Sequence, residues 1–107
     1  MADDVQAKID EKVKGSKVLI YMKGNPKLPQ CGFSDATVRL FETLGYPFDT
    51  VDVLADPAVR DGIKQYSNWP TIPQIFIGGK FIGGCDIVTE MQQRGELDPI
   101  LKSAFEK

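Results

Sequence analysis

Val18-Leu19-Ile20-Tyr21-Met22 is an unbroken apolar run of mostly β-forming residues, and it narrows what this chain can fold into more than any other segment. A strand with one wet face alternates apolar and polar side chains; this run does not, so it reads as a strand buried on both faces. Upstream, Val5, Ile9 and Val13 recur every four residues from Asp4 to Lys14, which predicts an amphipathic helix ended by Gly15. Downstream, Lys23 to Gln30 holds Gly24, Pro26 and Pro29 and reads as a loop. From Cys31, the apolar residues Phe33, Leu40, Phe41 and Leu44 share one helical face, and Gly45 and Pro47 stop that helix.

Phe48 to Leu54 alternates roughly, predicting a second strand. Asp56-Pro57 is an N-cap followed by a proline suited to the first helical position, and Val59, Ile63 and Tyr66 carry that helix to about Ser67. Trp69-Pro70-Thr71-Ile72-Pro73 cannot be helical. Gln74 to Ile77, Gly78-Gly79, and Lys80 to Ile82 then form a hairpin with a tight glycine turn. Asp86 reads as the N-cap of a short helix through Ile87 and Met91 to Arg94, and Asp98-Pro99 as the cap of a last helix with Leu101, Ala104 and Phe105 inside. The strand–helix–strand unit implies a parallel pair with a right-handed crossover, and the hairpin adds antiparallel strands. The expected class is α/β, a mixed four-stranded sheet flanked by about five helices.

The chain has 107 residues, expected to form one domain over 1–107. The acidic start Met1-Ala2-Asp3-Asp4 lacks the basic and apolar regions of a signal peptide. A bacterial cytoplasm is the expected location, or an organelle matrix or stroma if a transit peptide was removed. No apolar run approaches a membrane span. A net charge of −2 without a basic cluster argues against nucleic acid. Histidine is absent, which excludes Ser-His-Asp triads, His–Cys nucleophile pairs and Rieske-type ligation. Two cysteines, Cys31 and Cys85, cannot complete an all-cysteine tetrahedral site within one chain.

Cys31 sits where a loop becomes a helix, where unpaired amides and the helix dipole favour a thiolate. Gly32 permits close backbone approach, and Lys23 adds a positive charge nearby. Position by itself leaves a second reading open, a small buried apolar residue. Ser34 stands where C-x-x-C motifs carry their second thiol, and a hydroxyl cannot resolve a mixed disulfide. It is equally an ordinary first-turn residue. What remains for Cys31 is a mixed disulfide with an outside thiol, or a metal-bound thiolate.

Cys31-Gly32-Phe33-Ser34, preceded by Met22-Lys23-Gly24 and followed by Trp69-Pro70-Thr71-Ile72-Pro73 and Gly83-Gly84-Cys85-Asp86, resembles the monothiol glutaredoxins of the CGFS class. The match keeps order and spacing over nearly the whole chain. The resemblance implies a thioredoxin-like fold and a glutathione groove. Thr71, Ile72 and Pro73 would be a cis-proline loop whose Ile72 backbone pairs with glutathione like an added strand. Gly84, Cys85 and Asp86 would hold the γ-glutamyl end. Lys23 and Arg60 would take the glycyl carboxylate, with Gln65 at a position where relatives often carry Lys or Gln. Lys64 reads as a solvated helix face, Trp69 as packing near the groove, and Phe33 as partly exposed beside the thiol. Cys85 either pairs with Cys31 under oxidation or contributes only its backbone; the second reading is preferred.

The resemblance further implies a [2Fe–2S] cluster bridging a homodimer. Cys31 from each chain and two glutathione molecules would make up the four thiolate-type ligands. Such a protein serves cluster assembly, storage or transfer to apo iron–sulfur proteins, and family members also form complexes with BolA-like proteins. Two alternatives stand beside it. One is glutathione-dependent thiol–disulfide exchange that removes glutathione from proteins, which the family does poorly. The other is a redox-inert adaptor whose groove binds a partner.

Overall fold

In a computed structural model describing residues 2–106, a first helix, α1 (Ala2–Gly15), leads into β1 (Val18–Met22). Met1 and Lys107, the ends of the expected 1–107 unit and part of the acidic N-terminal reading, lie outside the described residues. A two-stranded ribbon follows, β2 (Gly24–Asn25) and β3 (Leu28–Pro29), then α2 (Gly32–Leu44), β4 (Asp49–Asp52), α3 (Pro57–Ser67), β5 (Gln74–Ile77), β6 (Lys80–Gly83), α4 (Cys85–Gln93) and α5 (Leu97–Phe105).

All five residues of β1 are buried, as the apolar run requires. The sheet order is β4-β1-β5-β6, with β1 parallel to β4 and antiparallel to β5. Alternate residues of β1 then divide between two cores. Val18, Ile20 and Met22 pack with Val38 and Phe41 of α2, Val88 of α4 and Leu97 and Leu101 of α5. Leu19 and Tyr21 pack with Ile9 and Val13 of α1 and Ile63 of α3. Full burial of such side chains is worth about 1.5–3 kcal/mol each, so this strand anchors both layers. No helix among the described residues is long and apolar enough to cross a membrane. The result is the expected α/β thioredoxin-like architecture: a mixed four-stranded sheet with five helices among the described residues.

The boundaries differ from expectation where side chains compete with the backbone. The segment expected as a plain loop holds the β2–β3 ribbon, because the Asn25 carboxamide accepts from the amides of Lys27 and Leu28, both at 3.0 Å, and folds the turn. Asp56 does cap α3, accepting from the Ala58 amide at 3.0 Å. Asp86 is not an N-cap: Gly84 takes that place, and Asp86 lies in the first turn of α4. Likewise Glu96 precedes α5, which begins at Leu97, so Asp98 and Pro99 are inside its first turn. Acidic residues favour the first turn through the dipole as well as the cap, and the sequence does not separate the two placements.

Candidate functional site

The site opens at the C-terminal ends of the parallel strands β1 and β4, where α/β sheets present their crevices. Lys23 follows β1 directly. Its amide donates to Ser34 Oγ at 3.1 Å, and its carbonyl accepts from the Gln30 amide at 2.9 Å. These bonds fold the ribbon back and bring Cys31 beside the strand end. Asp52 completes the frame: one carboxylate oxygen accepts from the amides of Gly24 and Leu54, both at 2.9 Å. Ser34 is fully buried, so it braces the loop from inside the helix in addition to lacking a resolving thiol.

Cys31 is the N-cap residue of α2, with extended backbone and no side-chain capping bond. The thiol is half-buried and free. Burial pushes it up, but the Ser34 and Phe33 amides, the Lys23 ammonium and the Ser34 hydroxyl together hold it below the ordinary thiol range. With no capping bond made, the first-turn amides act on the sulfur as the positive end of the helix dipole. Because the folded-state value is depressed, the thiolate favours the folded chain above the ordinary thiol range. That contribution fades as pH falls through the folded value. Alkylation of Cys31 by iodoacetamide is therefore expected to reach half its maximal rate below the pH of a free thiol. Lys23→Gln is expected to move that midpoint upward; an unmoved midpoint in stopped-flow alkylation would remove Lys23 from the electrostatics.

A groove of about 480 Å³ runs from this thiol. One wall is the Trp69–Pro73 loop, where the Ile72–Pro73 peptide is cis and Thr71, Ile72 and Pro73 all face the groove. The loop hangs from Gln74, whose side-chain amide donates to the carbonyls of Trp69 at 2.9 Å and Thr71 at 3.1 Å. Trp69 packs on Phe81 with ring centroids 5.7 Å apart, as a packing residue would, and also lines the groove. The start of α4 supplies Gly84, Cys85 and Asp86. Gly83, at φ +154°, sets that approach: a Cβ there would lie 2.8 Å from Ile87 Cβ. Since Gly84 takes the N-cap position, the exposed Asp86 carboxylate is not spent as a cap.

Lys23, Arg60 and Lys64 bring positive charge to the same groove. Arg60 contacts Asp61 at 3.6 Å in an exposed pair, an association too weak to withhold the guanidinium. Gln65 is exposed and does not line the groove, whereas Lys64, expected on a solvated face, does. Lys64 follows Arg60 by one helical turn and so shares its face, while Gln65 is rotated away. That spacing was the available signal for Lys64. Asp52 and Gln74 carry no motif; only the tertiary contacts identify them. Phe33 is exposed beside the thiol, as expected, and Cys85 is half-buried and free.

Comparison with known proteins adds four findings. The family model described as Glutaredoxin matches residues 18–82. A protein of Synechocystis sp. named as an uncharacterized monothiol glutaredoxin, ycf64-like, is 51% identical over 105 residues, covering 98% of each chain. Among solved structures, the holo form of glutaredoxin C1 from Populus tremula x tremuloides superposes with a TM-score of 0.90 at 28% identity, covering 99% of this chain and 94% of that one. A buckwheat glutaredoxin–glutathione complex does so with a TM-score of 0.87 at 28% identity, covering 96% and 92%.

Proposed function

This chain belongs to the monothiol glutaredoxins, and from that premise we propose that its groove binds glutathione and that two such chains, with two glutathione molecules, carry a [2Fe–2S] cluster as cargo for apo iron–sulfur proteins. We take residues 1–107 to act as one glutaredoxin domain, in a bacterial cytosol or an organelle matrix or stroma, compartments that keep thiols reduced.

The observation that carries the reading is a thiolate-favouring Cys31 opening on a groove with three cations and one free carboxylate. Glutathione is a tripeptide thiol with two carboxylates and one ammonium, and those charges match this set. Lys23, Arg60 and Lys64 take the glycyl carboxylate, the Ile72 backbone pairs with the extended peptide, and the α4 start holds the γ-glutamyl end with Asp86 accepting from its ammonium. The fit to a cluster rests on donor chemistry. Iron–sulfur clusters take thiolates, and Cys31 is a thiol poised as one. The described residues hold no group of three His, Cys, Asp or Glu placed to bind a metal; in this reading a second chain and two glutathione molecules supply the further ligands. When bound, the cluster supplies iron and sulfide for transfer. The buckwheat complex and the holo poplar form lend support as relatives of the same fold.

The buried Ser34 favours one second reading. With no thiol there to close a disulfide, the Cys31 thiolate attacks the glutathione sulfur of a protein–glutathione disulfide. The protein leaves as its thiolate and takes a proton. A second glutathione thiolate then attacks the Cys31-bound sulfur, giving oxidised glutathione and free Cys31. Anaerobic reconstitution with iron, sulfide and glutathione decides between the two. A visible [2Fe–2S] spectrum that requires glutathione, on a species of dimeric mass, is expected. A colourless monomer with and without glutathione would overturn the carrier reading and leave thiol exchange.

A further inference from the structure

Gln74 is the one polar side chain of β5, and it is fully buried. It faces the apolar layer under α1 and α3: it stands opposite Tyr21 in the β1–β5 register, and two residues on, Phe76 belongs to that core. An amide in such a place has to be bonded or it destabilises the fold. Here both bonds run in one direction. The side-chain NH2 donates to Trp69 O and Thr71 O, while Gln74 Oε1 is buried without a partner. The orientation is not interchangeable, because a flip would set Oε1 against two carbonyl oxygens. An apolar residue would fill the same space without an orphaned acceptor, so the two donated bonds are what the position keeps.

The bonded segment explains why they are kept. Pro70 and Pro73 have no N–H, so the Trp69–Pro73 loop has few donors with which to brace itself. It nonetheless forms a continuous wall of the groove. Gln74 supplies two donors from the core behind it, on either side of Pro70.

We infer that Gln74 is a positioning residue for the groove: its carboxamide holds the Trp69–Pro73 wall in the register that a thiol-bearing peptide pairs with, without touching that peptide. The ligand in this statement rests on the proposed glutathione-binding function; the bracing of the loop does not. Gln74→Leu conserves bulk and removes both donors. Glutathione affinity by titration calorimetry is expected to fall roughly tenfold, the scale of one or two lost hydrogen bonds. The Cys31 alkylation rate, set by Lys23 and the first turn of α2, should stay near wild type. Trp69 is the chain's single tryptophan, so its fluorescence reports the wall directly, and its acrylamide quenching should rise in the variant. Wild-type affinity together with wild-type quenching in Gln74→Leu would overturn the inference. If the variant does not fold, the native chain still tests it: the Gln74 side-chain NH2 protons should be protected from solvent exchange by NMR, and unprotected ones would overturn the assignment. Absence of glutathione binding by the unmodified protein would instead sink the proposed function, with quenching and NH2 protection still deciding the role of Gln74.

Discussion

Cys31→Ser is expected to abolish the visible absorption of the reconstituted protein and its mixed-disulfide chemistry while leaving the fold at least as stable. The loss follows from chemistry: a serine hydroxyl remains protonated at neutral pH and is a poor ligand to iron, and the groove's other thiol, Cys85, starts α4 and does not stand at the head of α2. The stability follows from geometry. Cys31 has the extended backbone of an N-cap, yet its side chain makes no capping bond. Serine is among the preferred N-cap residues and would accept from an amide of the first turn, worth about 0.5–2 kcal/mol against a non-capping residue. The midpoint of urea unfolding should therefore hold or rise slightly. Two measurements on one preparation check this: the visible spectrum after anaerobic reconstitution, and the urea midpoint of the apo-protein. A cluster of normal spectrum in the variant would refute Cys31 as the ligand. Marked destabilisation would mean that the sulfur is a core packing element, the alternative its sequence position left open.

That alternative shows where the sequence stops being legible. Whether Cys31 is buried or poised depends on the path of the loop before it, and that path is fixed by Asn25, Asp52 and Ser34; the first two carry no motif, and Ser34 stands out only for the thiol it lacks, not for its bond to the Lys23 amide. The sheet was readable because apolar runs have few solutions: β1 has five consecutive apolar residues, and only a central strand buries them all. The glycine turn and the Pro-rich break were readable because they use residues with restricted or unusual backbone freedom. Asp56 and Asp86 mark the limit. Both are acidic residues at a helix start, yet one caps and the other lies within the first turn, because Gly84 already supplies the extended residue before α4. Lys64 and Gln65 are adjacent; the resemblance points to Gln65 and leaves Lys64 on a solvated face, whereas helical phase puts Lys64 with Arg60 on the groove. Gln74 was invisible for another reason. Its partners are main-chain carbonyls, which every residue carries, so no sequence pattern records them.

Gly24→Ala tests the loop path itself. Gly24 has φ +88°, and a Cβ there would lie 2.5 Å from Leu28 O and 2.9 Å from Gln30 N. Both are main-chain atoms, so no side chain can swing aside. Neither can move freely, because Gln30 N bonds Lys23 O and the ribbon pairs Gly24 with Pro29. A positive φ costs a non-glycine residue about 1–2 kcal/mol before any clash is counted. Relieving the clash requires the β2–β3 ribbon to open, which would release the Gly24 amide from Asp52 and the Gln30 amide from Lys23. Total destabilisation of about 2–4 kcal/mol is expected, within the range of large single-site effects. Function should suffer in a particular way. Lys23 and the ribbon set the position of Cys31, so the midpoint of its alkylation should move up toward that of an ordinary thiol, and reconstituted cluster content should fall. Sheet and helix content by circular dichroism should survive, since both cores lie elsewhere. Wild-type stability with an unmoved alkylation midpoint would show that the ribbon bends without cost, and the poise of Cys31 would then reside in α2 and its first amides.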